Sequence, residues 1–308
     1  MKIAFSAMGI RYDNYKWSWT SDNPAPNNVT KKLLLWAKDV GYDGFELEDH
    51  WIDFYNMSDS EIKHYKSIID STGMPIPCIK TPGKNLCHPD VKDENKKKLL
   101  RAIEMASMLG ADIISLNLAS SNTLYNAPIA NMVGVTESWG SSKDASEKDF
   151  ELTAKSLREA AKKASYLGVS LAIEVHQHGI ADTAKSTIKL LDMVGEKNVG
   201  ANPDLGNIYW TYQIPEEDWA ESINNLADRT LWWHCKNLNR VHIPDLNRSV
   251  FIKTTLDQGD IDYRYCVNTL HKAGYEGYIL VEGTGDKDVL YNSKRNLNYL
   301  RDLLSDLD

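Results

Sequence analysis

No stretch of this 308-residue chain approaches the ~18 consecutive apolar residues of a membrane span, which excludes a transmembrane helix. There is no excess of basic residues either. Lys and Arg number 35 against 43 Asp and Glu, a formal charge of −8, so broad attraction to nucleic-acid phosphates is not expected. Cysteine is scarce: Cys78, Cys87, Cys235 and Cys266 show no C-x-x-C pairing. The opening segment, MKIAFSAMGI, is too soon interrupted by polar residues for a secretory signal and reads as a first strand. The thiols are therefore expected to be reduced, in the cytoplasm. The glycine-rich phosphate turn G-x-G-x-x-G is missing after that first strand, which argues against a doubly wound dinucleotide-binding sheet.

What is present is ordinary globular material: 42% hydrophobic residues, 25% charged and nine tryptophans, with a mean hydropathy of −0.44. Short apolar runs alternate eight times with longer amphipathic ones. Strands are expected at Lys2–Met8, Gly44–Asp49, Pro75–Lys80, Asp112–Leu118, Val169–His176, Val199–Asp204, Leu231–Lys236 and Gly277–Gly283. Helices are expected at Val29–Val40, Ser60–Ser71, Glu94–Leu109, Lys148–Leu167, Ala184–Val194, Glu216–Ala227, Tyr263–Lys272 and Val289–Leu304. Leu152, Ser156, Leu157, Ala160, Ala161 and Ala164 trace one face of a 3.6-residue period. The strands are nearly continuous apolar runs, as in Leu171-Ala172-Ile173, which suits a parallel sheet covered on both sides. Gly41, Gly73, Gly110, Gly168, Gly195 and Gly274 each stand between a helix and the next strand, where a left-handed residue ends the helix. Ser58, Ser60, Asp93 and Pro215 mark helix starts. The pattern predicts an α/β protein, a single (β/α)₈ TIM barrel over residues 1–308. Two long polar connections, 119–147 and 237–261, follow strands rather than helices and so belong at the barrel mouth, where loops of such length shape a site.

The chemistry follows from position. Glu174, Asp204, His234 and Glu282 stand at or near the ends of strands five to eight. Thirty residues separate Glu174 from Asp204 and Asp204 from His234, and 48 separate His234 from Glu282: single β/α units, the last lengthened by the inserted loop. A barrel would bring all four to its mouth. Three carboxylates and an imidazole facing one point repel each other unless a cation joins them. Oxygen-rich ligation with one nitrogen points to a divalent ion, Mn²⁺ first, with Mg²⁺, Co²⁺ or Zn²⁺ as alternatives.

His176 shares the side of Glu174 by two-residue alternation and is a candidate general base or acid, or a histidine simply bonded to a carboxylate. Lys236 and Arg240 are candidates for neutralising substrate oxygens, and His178, Asn207, His88 and His242 for substrate contacts. Trp17 and Trp19 after the first strand, and Trp210 and Tyr212 after the sixth, would either stack on a sugar or aromatic ring or pack a loop. Lys96-Lys97-Lys98 reads as a solvated helix face.

The fragments AIEVH (172–176), NPDLGN (202–207), WWHCKN (232–237), QGDIDY (258–263) and YILVEG (278–283) resemble, in order, the strand-end motifs of the xylose isomerase-like superfamily of sugar isomerases and epimerases. The resemblance covers essentially the whole chain and implies that Glu174, Asp204, His234 and Glu282 are metal ligands. Among ketose 3-epimerases, whose two glutamate ligands also move the proton, Arg240 keeps the spacing of a substrate-holding arginine. However, Asn207 replaces the histidine of their D-x-x-H, and Ile180 stands where they carry an acid. The combination EVHQHG, NPDLGNIYW and WWHCKNL is more similar to the catalytic (α) subunit of bacterial C-glycoside deglycosidases. That resemblance implies His176 as base and a small β subunit in a hetero-oligomer.

One scheme serves both: a carbonyl polarised by the ion, and a base, Glu174 or Glu282, taking the neighbouring proton. In an epimerase the proton returns on the other face. In a 3-keto C-glucoside the group at C1 is expelled by β-elimination, with His176 taking a phenol proton so that the aglycone leaves as a quinone-methide-like tautomer. A DNA-repair endonuclease on the same fold would need further histidines and a basic groove, and a non-catalytic sugar-binding barrel would be indifferent to EDTA.

Overall fold

In the computed structural model, strand–helix alternation closes a ring. The structure describes residues 1–6, 27–49, 52, 55–81, 85–119, 141–177, 179–210, 215–282 and 288–307. Eight parallel strands form the sheet: β1 (Lys2–Ser6), β2 (Gly44–Glu48), β3 (Cys78–Lys80), β4 (Ile113–Leu116), β5 (Ser170–Glu174), β6 (Val199–Asn202), β7 (Trp233–Cys235) and, after a two-stranded excursion named below, β10 (Tyr278–Val281). Neighbours follow chain order from β1 to β6, and β10 lies between β1 and β7. The ring closes where β6 meets β7, through a parallel bridge of Ala201 with Thr230 and the bond from Leu231 N to Ala201 O at 2.9 Å. Asn202 adds a side-chain seam: its Oδ1 accepts the His234 backbone N–H at 2.8 Å and its Nδ2 donates to Ser115 Oγ at 2.9 Å.

The helices are α1 (Asn27–Val40), α2 (Asp59–Asp70), α3 (Lys92–Leu109), α4 (Glu147–Tyr166), α5 (Ala184–Val194), α6 (Leu205–Tyr209), α7 (Trp219–Leu226), α8 (Tyr263–Lys272) and α9 (Val289–Ser305). Seven of these were expected to within a few residues, while the short α6 was not, and α7 begins later than Glu216 because Asp218 caps it. All six predicted glycines have positive φ, between 66° and 102°. Ser58 caps α2 in a reciprocal capping box with Glu61, as do Ser146 for α4 and Thr183 for α5, satisfying otherwise orphaned N–H groups.

Two-residue alternation sorts each strand into an outward and an inward row. Ile3, Phe5, Phe45, Leu47, Ile79, Leu171, Ile173, Ile279 and Val281 pack outward against the helices. Each such fully buried side chain contributes roughly 1.5–3 kcal/mol. Inward, Ala4, Cys78, Ala172, Trp232 and Leu280 form a separate apolar cluster that plugs the barrel. Two residues further along the same strands come Ser6, Lys80, Glu174, His234 and Glu282, all buried. The polar layer therefore sits directly on the apolar plug.

The connection at 237–261 is not the open loop expected. It contains β8 (Asn237–Ile243) and β9 (Arg248–Thr254), an antiparallel hairpin in which Val241 pairs with Val250 and Arg240 with Phe251. Its alternating residues let one face pack inward and the other face water, a period-two signal masked by Asn, Arg and His. Of the other expected mouth loop, residues 120–140 lie outside the described residues.

Candidate functional site

The four predicted strand-end residues converge. One ligand atom each from Glu174, Asp204, His234 and Glu282 lies within 4.8 Å of the others, and all four residues are buried, an arrangement able to hold a metal ion. Glu174 ends β5; Asp204 follows β6 and caps α6; His234 is central in β7; Glu282 follows β10, its N–H donating to Cys235 O at 3.1 Å. Position on the C-terminal face of the barrel, rather than proximity in sequence, brings them together.

His234 points Nδ1 inward, 3.3 Å from Glu174 Oε1, 3.1 Å from Glu282 Oε2 and 4.0 Å from Asp204 Oδ2. Its Nε2 lies 3.0 Å from Glu46 Oε2. Burial opposes a charged ring, but Glu46, Glu282 and Glu174 outweigh it and raise the imidazole well above its usual range, with Lys80 opposing them. A cation at Nδ1 can take the place of that proton. The donor set, three buried carboxylates and one imidazole turned toward one point, fits a hard divalent ion; the ammonium groups of Lys80 and Lys236 lie beside Glu174 Oε2, Asp204 Oδ2 and Glu282 Oε2 in place of a well-directed hydrogen bond.

Two ammonium groups border these carboxylates. Lys236 Nζ is 2.9 Å from Asp204 Oδ2 and 3.1 Å from Glu282 Oε2, and donates to Asn207 Oδ1 at 3.1 Å. Lys80 Nζ is 2.8 Å from Glu282 Oε1 and 3.3 Å from Glu174 Oε2. Burial disfavours the charge on Lys80, but Glu174, Glu282, Glu48 and Glu46 hold its pKa well above the ordinary lysine value. Burial likewise opposes ionisation of Glu282, but Lys236, Lys80 and His234 hold its pKa low. Asp204 is pushed up to about 7 by burial, against the pull of Lys236. Glu48 is raised to about 8 by burial, with Lys80 and the Ser6 hydroxyl opposing and Glu46 adding to the rise.

Lys236 thus reaches the centre as expected, though here it neutralises the protein's own carboxylates. Asn207, expected as a substrate contact, is 1% exposed, and its Nδ2 donates to Glu174 Oε1 at 3.1 Å and Val175 O at 3.0 Å, which supports that carboxylate. His176 is half-buried just beyond β5, its Nδ1 2.7 Å from Gln177 O; burial lowers its pKa, with the Glu174 carboxylate opposing the shift. Arg240 lies on β8, opposite Phe251 and near Tyr209 and Asp260, rather than on a loop. His88 serves its own turn, with Nδ1 accepting from Asp90 N at 3.2 Å and its carbonyl from Val91 and Lys92 N–H. His242 faces Ser249 Oγ across the hairpin. Trp210 is 9% exposed and packs edge-on against Phe251, with Lys253 Nζ 4.4 Å from its ring centre, which favours the packing reading. Trp17, Trp19, His178 and Tyr212 lie outside the described residues.

Glu46, Glu48 and Lys80 were missed by the sequence reading. Glu48 and Lys80 end β2 and β3 and were open to the same strand-end argument; Glu46, two residues before Glu48, follows by alternation.

Residues 34–303 match a family model described as the xylose isomerase-like TIM barrel. An inosose dehydratase of Clostridium perfringens is 25% identical over 149 residues, which are 46% of this chain and 49% of that protein. The chain thus spans about half the length of that curated relative. Among solved structures, a xylose isomerase-like TIM barrel protein from Mycobacterium smegmatis in complex with magnesium aligns with a TM-score of 0.79 at 22% identity, over 98% of this chain and 96% of the other. A 3-keto-D-glucoside 4-epimerase from E. coli aligns with a TM-score of 0.67 at 18% identity, over 98% and 99%.

Proposed function

Because the chain belongs to the xylose isomerase-like TIM barrel family, we propose that it is a metal-dependent enzyme that abstracts the proton next to the carbonyl of a keto sugar. One observation carries this reading: four buried ligand atoms, three of them from carboxylates, within 4.8 Å of one another at the mouth of the barrel. Glu174, Asp204, His234 and Glu282 would hold the ion, Mn²⁺ first, with Mg²⁺, Co²⁺ and Zn²⁺ as alternatives. When bound, it supplies Lewis-acid polarisation of a carbonyl.

The chain's own groups account for the proton movements. Glu174 or Glu282 takes the proton from the carbon beside the carbonyl, and Lys236 neutralises the oxygen on which charge develops. Asn207 keeps Glu174 in place. In the finer reading, the chain is the α subunit of a C-glycoside deglycosidase, acting with a small β subunit in a hetero-oligomer. His176 there takes the proton of a phenol ortho to the C1–aryl bond and returns it to the ring carbon bearing the sugar, giving a dienone. Loss of the C2 proton to glutamate then forms C1=C2, the C1–aryl bond breaks, and its pair returns to the ring as phenolate. The place of His176 just beyond β5, where burial holds its pKa below the usual imidazole range, supports this assignment.

A second reading, a ketose epimerase, is favoured by Glu174 and Glu282 both standing at the same centre, which allows one carboxylate to remove the proton and the other to return it. One assay separates the two. The Mn²⁺-loaded protein, with and without a co-encoded small partner, is incubated with 3-keto C-glucosides and with free ketoses. Aglycone release identifies the lyase and ketose interconversion the epimerase; EDTA abolishes either and Mn²⁺ restores it. A protein that binds no Mn²⁺, or whose turnover ignores EDTA, would end the proposal.

A further inference from the structure

Five carboxylates converge inside this barrel, and the metal reading uses three. The remaining two, Glu46 and Glu48, lie on β2 with 0% and 2% exposure. Glu46 Oε1 is buried with no hydrogen-bond partner among the described residues, so the cluster holds more acceptor capacity than its own donors satisfy. Lys80 stands between the two sets. Its side chain is 2% exposed, and the charges around it are those of Glu174, Glu282, Glu48 and Glu46. Glu282 divides its two oxygens: Oε1 faces Lys80 at 2.8 Å, and Oε2 faces His234 Nδ1 and Lys236 Nζ, each at 3.1 Å. A carboxylate shared in this way between two cations is how paired metal sites, ~3.5–4 Å apart, are bridged.

We infer that Lys80 occupies, as a tethered monovalent cation, the position a second metal ion would take between Glu48, Glu174 and Glu282, and thereby restricts the centre to one divalent ion. The limiting formal charge, reached once bound cations draw the protons from Glu48 and Asp204, is five negative charges against Lys80 and Lys236, or −3, which one divalent ion brings to −1. Without Lys80 the centre stands at −4, which two divalent ions cancel. Arginine would keep the charge; methionine keeps the length and apolar stem of the lysine while removing it.

This inference rests on the metal reading above, and the test separates the two. Wild type, Lys80→Met, Lys80→Arg and the double variant Lys80→Met/Glu48→Gln are equilibrated with excess Mn²⁺ and desalted. Bound manganese is then counted by elemental analysis, and spin coupling is sought by electron paramagnetic resonance. One ion is expected in wild type, Lys80→Arg and the double variant, and two coupled ions in Lys80→Met. A second ion in wild type overturns the inference without any variant, as does a single ion in folded Lys80→Met. Lys80→Met that fails to fold even in excess Mn²⁺ also overturns it, because a second ion should replace the lost charge. Wild type that binds none overturns the metal reading itself.

Discussion

Glu46 holds the imidazole of His234 by its outer nitrogen: Glu46 Oε2 and His234 Nε2 lie 3.0 Å apart, and both residues are fully buried. A proton on Nε2 donated to Glu46 leaves the Nδ1 lone pair directed at Glu174, Asp204 and Glu282. The carboxylate thus selects the tautomer and orients the ring. Glu46→Gln should weaken Mn²⁺ binding by about 10–100-fold while the protein stays folded. Competition with a chelator measures this, and wild-type affinity in the variant would remove the orienting role.

Among the described residues no hydrogen bond joins His176 to Glu174, Asp204, His234 or Glu282, so its removal should separate binding from chemistry. Under the lyase proposal, His176→Ala is expected to retain its full manganese content while aglycone release falls by about 10²–10⁴-fold, the usual contribution of a positioned base. Retained turnover would take His176 out of the mechanism.

Gly206 leaves room for Lys236. A Cβ there would lie 2.1 Å from Lys236 Cγ and 2.9 Å from its backbone oxygen, and the backbone cannot yield as a flexible side chain can. Gly206→Ala should cost about 1–3 kcal/mol in chemical denaturation. It should also displace Lys236 from Asp204 and Glu282, and a denaturation midpoint equal to wild type would show that the site relaxes freely.

Trp210 ties the β8–β9 hairpin to the barrel through Phe251 and Lys253. Trp210→Ala removes a buried aromatic, a loss of about 3–5 kcal/mol where the surroundings do not collapse. The expected signature is local: faster amide hydrogen exchange at Arg240, Val241, Val250 and Phe251, with β1 and β5 unchanged. Uniformly faster exchange would mean that the hairpin is not a separate unit.

The barrel was legible because each of its rules is local. Continuous apolar runs such as Leu171-Ala172-Ile173 mark strands buried on both faces, and the glycines with positive φ sit where a residue with a β-carbon would strain the backbone. Glu174, Asp204, His234 and Glu282 were legible by the same reasoning, since a strand end in this fold is a place at the mouth. The hairpin was hidden because its alternating pattern carries polar residues on both faces; His88 was singled out by residue type and Arg240 by type and spacing, neither of which says where a side chain points.

By itself the sequence determined the alternation of elements, the helix ends and the four groups that meet at one face, all of which depend on spacing along the chain. Only the tertiary structure decided that Glu46 reaches across to His234, that Asn207 supports a carboxylate, and that Lys80 lies among four acids. These relations join residues up to 202 positions apart, as for Lys80 and Glu282. Their geometry comes from the curvature of the closed sheet, and no local pattern encodes it.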